Sequence, residues 1–196
     1  MLIPPPPESE ATSRVYQSSL DSQGFVMNLT RGWAWRPDVF DAFAALRSQL
    51  TDNSSLGKRE LAVLVCATAA ALGDSYCALA WGKKLAEASD PVSAAAVLQG
   101  RATAELTLRD QALSVWARKV VTQPNGTTTE DVARLRAAGF TDREIAEATF
   151  FIAFRLAFSV VNDALGAEPD WQLAAAAPPE VTAAVTFGRP TALKGT

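Results

Sequence analysis

Histidine is absent from this sequence of 196 residues. Its absence excludes a Ser-His-Asp triad, a Cys-His nucleophile pair, histidine ligation of a metal, and an imidazole that exchanges protons near neutral pH. Any acid–base chemistry must therefore come from carboxylates, lysine, tyrosine, thiols or water.

Cysteine is nearly absent, since the chain contains only Cys66 and Cys77. Two cysteines cannot form a disulfide framework, and their spacing of eleven positions along helical sequence places the two sulfurs beyond disulfide distance unless the chain folds back. Without histidine, and with two separated thiols, the sequence offers no recognisable set of metal ligands. We therefore expect two unpaired thiols, no bound metal and no other cofactor.

The chain also lacks a strong charge of one sign and an unbroken apolar segment. Its net charge of -3 gives no basic field for nucleic acid. Arg155 interrupts the longest apolar run, so no membrane span is expected, and no apolar stretch follows a basic N-terminus as in a signal peptide. These absences favour a cytoplasmic protein that binds neither nucleic acid nor membrane.

The residues that are present predict an all-α fold. Hydrophobic residues make up 48% of the chain and recur at helical spacing from residue 37 onward, with no alternating segment of any length. We expect a bundle of about seven or eight helices. Residues 1–23 are Pro-rich and polar at their start, which predicts a flexible arm; residues 24–170 form the helical domain, and 171–196 a C-terminal extension.

The segment "GDSYCALAWGKK" carries the most chemical information. Cys77 lies where a loop passes into a helix, and the exposed amides of a helix N-terminus lower a thiol pKa. Asp74 is either a helix cap or a base, and its carboxylate would raise the pKa of a thiol that it faced. Trp81, one turn later, either covers a pocket or packs in the core, whereas Lys83 and Lys84 are expected to be solvated. Cys77 is therefore an active nucleophile, a redox centre without its partners, or a small buried residue.

Arg155 is the second unusual residue, because it lies within the apolar string "FFIAFRLAFSVV". A cation in such a setting needs a carboxylate, a ligand or access to solvent. Glu60, Asp74 and Glu147 are the candidate partners. A structural ion pair and an anion-binding pocket are both open interpretations.

Several strings together resemble the carboxymuconolactone decarboxylase and alkylhydroperoxidase D superfamily, especially its uncharacterised peroxidase-related branch. The resemblance covers about Gly24 to Gly166. The strings are "GFVMNLTRGWAWRPDVFDAF", "KRELAVLVCATAAALGDSYCALAWGKKLA", "TLRDQALSVWARKVV" and "DVARLRAAGFTDREIAEATFFIAFRLAFSVVNDALG".

The resemblance implies an alkylhydroperoxidase D-like helical bundle whose helical hairpin carries a C-x-x-C-x-x-x-H motif. Active members reduce peroxide with two cysteines, while a glutamate on the preceding helix and the histidine move protons. Here Cys77 takes the place of the second cysteine, with Tyr76 before it; Asp74 stands at the first cysteine and Trp81 at the histidine. Glu60 is the candidate glutamate, but it lies two residues too far from Asp74, so it faces the thiol only if a bulge or kink absorbs the difference.

Three functions follow as hypotheses. The first is a thiol peroxidase with antioxidant activity, in which Cys77 and Glu60 act in a pocket bounded by Asp74, Tyr76, Trp81 and Arg155, and an external thiol is the reductant. The second is a catalytically silent scaffold that binds a small molecule or a protein. The third, a lyase like the decarboxylases, ranks last because the histidine is missing.

A homo-oligomer is also expected. The resemblance implies a dimer, trimer or hexamer, and the apolar helices carry more apolar surface than one domain of this size readily covers. Segments that look suited to lie over a partner subunit contain Trp33, Trp35, Val181, Val185 and Phe187.

Overall fold

Helices make up the regular structure of residues 1–194, the part of the chain that a computed structural model describes. Within it there are eleven α-helices and a 3-10 turn at Pro124–Gly126, which confirms the all-α prediction. The helices are α1 (Glu10–Gln23), α2 (Asn28–Trp33), α3 (Pro37–Asp52), α4 (Lys58–Leu72), α5 (Ser75–Ala88), α6 (Pro91–Gln99), α7 (Leu108–Thr122), α8 (Thr129–Ala137), α9 (Asp142–Ala164), α10 (Trp171–Ala176) and α11 (Pro179–Ala184).

The hairpin of α4 and α5 forms the centre of the molecule. Helix α4 is buried on nearly every side between α5, α6, α7 and α9, as its uniformly apolar sequence predicts. It ends at Gly73, whose φ of 88° is a left-handed conformation that suits glycine. Asp74 then caps α5, so the turn between the helices is only two residues long and places Cys77 in the first turn of α5.

The longest helix, α9, begins at the predicted capping box. The Thr141 hydroxyl accepts from the amide of Glu144, and the Glu144 carboxylate accepts from the amide of Thr141. Gly139, with φ of 90°, separates α9 from α8, as the string "GFTDRE" predicts. Arg155 and Ser159 lie on the interior face of this helix, where both are buried.

The N-terminal segment differs from the flexible arm that its prolines predict. Ser9 and Thr12 form a capping box that starts α1, and Val15 is buried. Farther upstream, the amide of Leu2 donates to the carbonyl of Leu165 at 2.8 Å. The capping box at Ser9 and Thr12 therefore starts a helix shortly after the proline run, and this helix has one side that packs against the rest of the chain.

The segments expected to cover a partner subunit instead cover this chain. Val181 of α11 is fully buried against Gly82 of α5, and the indole of Trp33 donates to the amide oxygen of Asn162 at 2.9 Å. Of the other residues expected at a partner subunit, Val185 and Phe187 are half-buried, and Trp35 is 44% exposed. No helix in residues 1–194 has the length and apolar character needed to cross a membrane.

Candidate functional site

Cys77 lies at the meeting point of α5 and α9, with only 3% of its surface exposed. Its amide donates to the Asp74 carboxylate at 2.9 Å, which confirms Asp74 as the helix cap. Its sulfur accepts from Nη2 of Arg155 at 3.4 Å and from the hydroxyl of Ser159 at 3.7 Å. Two donors from α9 therefore point at the thiol.

Arg155 has no carboxylate partner among residues 1–194, although it is 96% buried. Glu60 pairs with Arg109 at 2.6 Å, and Glu147 pairs with Arg143 at 2.7 Å. None of the three candidate partners, Glu60, Asp74 and Glu147, forms an ion pair with Arg155, so the structural ion pair, one of the two open interpretations, is not formed within residues 1–194. Because α9 turns its Arg155 face toward α5, the guanidinium meets the thiol instead.

Aromatic rings complete the surroundings of this guanidinium. Its central carbon lies 5.2 Å from the ring centroids of both Trp81 and Phe158, within the range of cation–π attraction. Among the described residues, its Nε has no hydrogen-bond partner. Within residues 1–194 the guanidinium therefore contacts a sulfur and two ring faces but pairs with no carboxylate.

The thiol of Cys77 is neutral at physiological pH in this environment. Burial and the Asp74 carboxylate raise its pKa to about 12, while Arg155 and the Ser159 hydroxyl act in the opposite direction. The helix N-terminus alone predicted a lower value. Burial wins because α5 starts inside the core rather than at the surface.

Asp163 is a titratable group near this site that sequence reasoning missed. Burial and the proximity of Asp74 raise the pKa of Asp163 to about 7, and Arg189 opposes this shift. Asp74 itself is fully buried, with one carboxylate oxygen unpaired. The sequence did contain a pattern that indicates this polar region. Arg155, Ser159 and Asn162 follow i, i+4, i+7 spacing on an otherwise apolar helix and form a polar stripe that ends beside Asp163.

Replacing Asp163 with asparagine should raise stability above neutral pH. The folded-state pKa lies above the ordinary value of 3.8, so native Asp163 retains a proton that the unfolded chain loses, and stability falls as pH rises between about 4 and 7. Asparagine removes that loss, which is on the order of 1 kcal/mol for a half-buried group. Urea denaturation should show a gain at pH 8 and almost none at pH 4.

The matched control is Asp142→Asn in the first turn of the same helix. Arg136 lowers the pKa of Asp142, so this change should slightly reduce stability at pH 8. Equal effects of the two variants at pH 8 would contradict the assignment of a raised pKa to Asp163.

Two further cations lie close to Arg155. The ammonium of Lys84 is 4.3 Å from the Trp81 ring centroid, so this exposed side chain is not simply solvated as expected; Lys83 instead pairs with Glu87. The pKa of Lys84 is lowered by partial desolvation and by the positive charges of Arg155 and Arg47. The pKa of Arg47 is lowered by burial and by the charge of Arg155. Within residues 1–194, neither Arg47 nor Lys84 forms an ion pair.

A small cavity lies between α3 and α9 beside these charges. Its volume is about 10 Å³, enough for a single water molecule. Arg47 and Arg155 line it together with apolar side chains, which include Phe43, Leu50, Phe151 and Phe154. A larger ligand therefore needs side-chain movement, and Phe154 is 38% exposed.

Two predicted site residues lie in other clusters. Glu60 accepts from the amide of Gly57 at 2.8 Å and from Arg109, at the end of α4 remote from the turn. Twelve residues separate it from Leu72, which is about 18 Å of helix, so the structure does not bring it to Cys77. Tyr76 donates to the buried carboxylate of Asp170, which also accepts from the amide of Asn28 at 3.0 Å, so it links α5 to the segments before α2 and α10.

Known structures share this architecture. A peroxidase-related protein from Ralstonia eutropha JMP134, described as an alkylhydroperoxidase AhpD core, has 26% identity and a TM-score of 0.75 over 96% of this chain and 97% of its own. A peroxidase-related protein from Silicibacter sp. TM1040 has 22% identity and a TM-score of 0.75 over 88% and 91%. The debrominase Bmp8 has 15% identity and a TM-score of 0.71 over 94% and 96%. No protein-family model and no curated protein matches the chain.

The fold is therefore that of the carboxymuconolactone decarboxylase and alkylhydroperoxidase D superfamily, which confirms the resemblance inferred from the sequence. Among known structures, the chain is similar to uncharacterised peroxidase-related proteins. A debrominase on the same fold shows that the architecture supports more than one reaction.

Proposed function

We propose that this protein is an alkylhydroperoxidase-like oxidoreductase that reduces peroxide at Cys77 with an external thiol. The observation that carries the proposal is the contact between Cys77 Sγ and the buried Arg155 guanidinium, which has no carboxylate partner in residues 1–194. A fixed cation beside a thiol favours the thiolate, which is the nucleophilic form. The peroxidase-related neighbours support the same class of reaction.

The proposed cycle needs one protein cysteine. The Cys77 thiolate attacks the terminal oxygen of a hydroperoxide, an S–O bond forms, the O–O bond breaks, and the alcohol leaves after taking a proton from water. An external thiol then displaces water from the sulfenic acid to give a mixed disulfide. A second external thiol restores Cys77 and releases a small disulfide, so the two thiols supply the two electrons. Such a cycle needs a reduced thiol pool, which fits the predicted cytoplasmic location.

Arg155 and Asp74 act in opposite directions on this cycle. Arg155 stabilises the thiolate, and Ser159 donates a second hydrogen bond to the sulfur. Asp74 and burial disfavour the thiolate, so turnover should be slow at neutral pH. Cys66 is buried within α4 as a separate free thiol and plays no part.

Peroxide reduction should disappear in Cys77→Ser and survive in Cys66→Ser. Its rate should rise about tenfold per pH unit below the thiol pKa, because the thiolate fraction does. Mass spectrometry after graded peroxide exposure should detect sulfenic acid on Cys77, then sulfinic acid at excess peroxide, without an internal disulfide. Oxidation of Cys66 in place of Cys77 would contradict the proposal.

A catalytically silent binding scaffold is the second candidate. It is favoured by the 3% exposure of Cys77 and by its raised pKa, both of which suit a core thiol. If Cys77 stays reduced in the folded protein under peroxide, this function replaces the first. Lactone decarboxylation gains no supporting contact at the site.

We also propose that the protein forms a homo-oligomer. Phe150, Phe154 and Val160 of α9 are 57%, 38% and 47% exposed. Phe154 also lines the cavity beside Arg155, so a second copy against α9 would close the site. Light scattering should give a multiple of 20.8 kDa, and a monomer at micromolar concentration would refute this proposal.

A further inference from the structure

Three cations converge near Cys77 without a counter-ion. Arg155 and Lys84 both pack on the Trp81 ring, and Arg47 shares the adjacent cavity with Arg155. In residues 1–194, none of the three forms an ion pair. The Asp74 carboxylate accepts from the Cys77 amide at 2.9 Å and forms no ion pair with any of the three.

Several partly buried cations elsewhere in the molecule have carboxylate partners, whereas Arg118 donates to the backbone carbonyls of Val97 and Leu98. Arg59 pairs with Asp110, Arg109 with Glu60 and Glu144, and Lys119 with Asp131. Desolvated cations that repel one another cost free energy unless an anion joins them. Arg155, which is buried near the half-buried Arg47 and the exposed Lys84, is therefore placed as in a binding site, and its buried Nε, unpartnered within residues 1–194, is an additional donor.

The walls of the cavity indicate what kind of anion fits. Phe43, Leu50, Phe151 and Phe154 line the cavity together with Arg47 and Arg155, so its lining combines an apolar part with a cationic part. A fully inorganic anion would leave the apolar side without a partner. A ligand with an apolar body and a single carboxylate satisfies both sides.

We propose that Arg47, Lys84 and Arg155 bind the carboxylate of an amphipathic organic acid over Trp81, beside the Cys77 thiol. The inference deepens the proposed function, since the peroxide substrate would then carry a carboxylate. Entry requires the exposed Phe154 side chain, which lines the cavity, to move, because the resting cavity holds only one water.

Binding is tested with benzoate and its neutral isostere benzamide, on the reduced wild-type protein at low salt. Titration calorimetry should detect benzoate binding, and benzoate should raise the melting temperature while benzamide at equal concentration should not. Lys84→Gln and Arg47→Gln should each weaken benzoate binding about tenfold, as expected for loss of one charge-assisted contact. The affinity should also fall with added salt.

Lys83→Gln is the matched control, because Lys83 immediately precedes Lys84 on α5 but pairs with Glu87. It should leave benzoate affinity unchanged. Equal binding of benzamide, no detectable binding of benzoate, or an equal loss in Lys83→Gln and Lys84→Gln would each overturn the inference. The benzoate assay contains no peroxide. Benzoate can therefore bind even if the protein does not reduce peroxide, and peroxide reduction can occur even if benzoate does not bind, so the two proposals can fail separately.

Discussion

Replacing Arg155 with methionine should make the protein more stable and Cys77 less reactive. Arg155 is 4% exposed and, in residues 1–194, pairs with no carboxylate. The free energy cost of removing its guanidinium from water is therefore only partly offset by contacts in the folded state. An unbranched apolar side chain removes that cost and fills much of the same space, for a gain of about 1–3 kcal/mol. A site residue that costs stability is the expected sign of a functional role.

The loss of reactivity has a separate cause. Arg155 is the charge that opposes the raised pKa of Cys77, so its removal should raise that pKa further. At a fixed pH, the thiolate fraction and the rate of alkylation by iodoacetamide should then fall tenfold or more. Chemical denaturation and alkylation followed by mass spectrometry measure the two effects on the same sample.

Arg118→Met is the control for this change. Arg118 is also partly buried and without a carboxylate, but it donates to the carbonyls of Val97 and Leu98 at 2.7 and 3.0 Å. Its loss should therefore destabilise the protein and leave Cys77 alkylation unaltered. If Arg155→Met loses stability in the same way, Arg155 is a structural residue and the proposed function loses its main support.

Replacing Gly188 with alanine should detach the C-terminal strap, which we define as residues 187–190. Gly188 has a φ of 75°, and an added Cβ would lie 2.4 Å from the carbonyl oxygen of Gly73 and 2.7 Å from the amide of Ser75. Backbone atoms cannot move aside cheaply at the turn that starts α5. Left-handed strain and overpacking together predict a loss of about 2–4 kcal/mol.

The same change should expose the site. The strap is fastened where Ser75 donates to the Arg189 carbonyl at 2.8 Å and where Arg189 donates to the Asp163 carbonyl at 3.1 Å. The first contact lies in the first turn of α5, which carries Cys77, and the second lies at the C-terminal end of α9, so displacement of the strap should accelerate Cys77 alkylation several-fold. Urea denaturation and the alkylation assay detect the two consequences.

Gly24→Ala separates strain from collision. Gly24 has a nearly identical φ of 79°, yet nothing lies within 4 Å of its added Cβ. This control should cost only the left-handed strain, about 1–2 kcal/mol, and should not change Cys77 alkylation. Equal losses of stability in Gly188→Ala and Gly24→Ala would show that the strap moves away from the added Cβ at no cost in free energy.

The local features of the fold were predictable because they depend on neighbouring residues. The spans of α3 to α9, the glycine that ends α4, and the caps at Asp74 and Thr141 follow from periodicity and capping chemistry alone. The missed helix α1 had the same kind of signal, since Ser9 and Thr12 form its capping box, but the adjacent prolines concealed it. The central position of α4 was equally readable from its uniformly apolar sequence.

The sequence by itself determined that the protein is an all-helical bundle without histidine chemistry, with Cys77 at a helix start. Only the tertiary structure decided which charges meet. Arg155 finds the Cys77 sulfur 78 positions away rather than a carboxylate, Lys84 lies over Trp81, and Asp163 gains a raised pKa beside Asp74. The physical reason is that such pairings depend on the rotation and crossing of packed helices, which are set by the whole core rather than by local spacing.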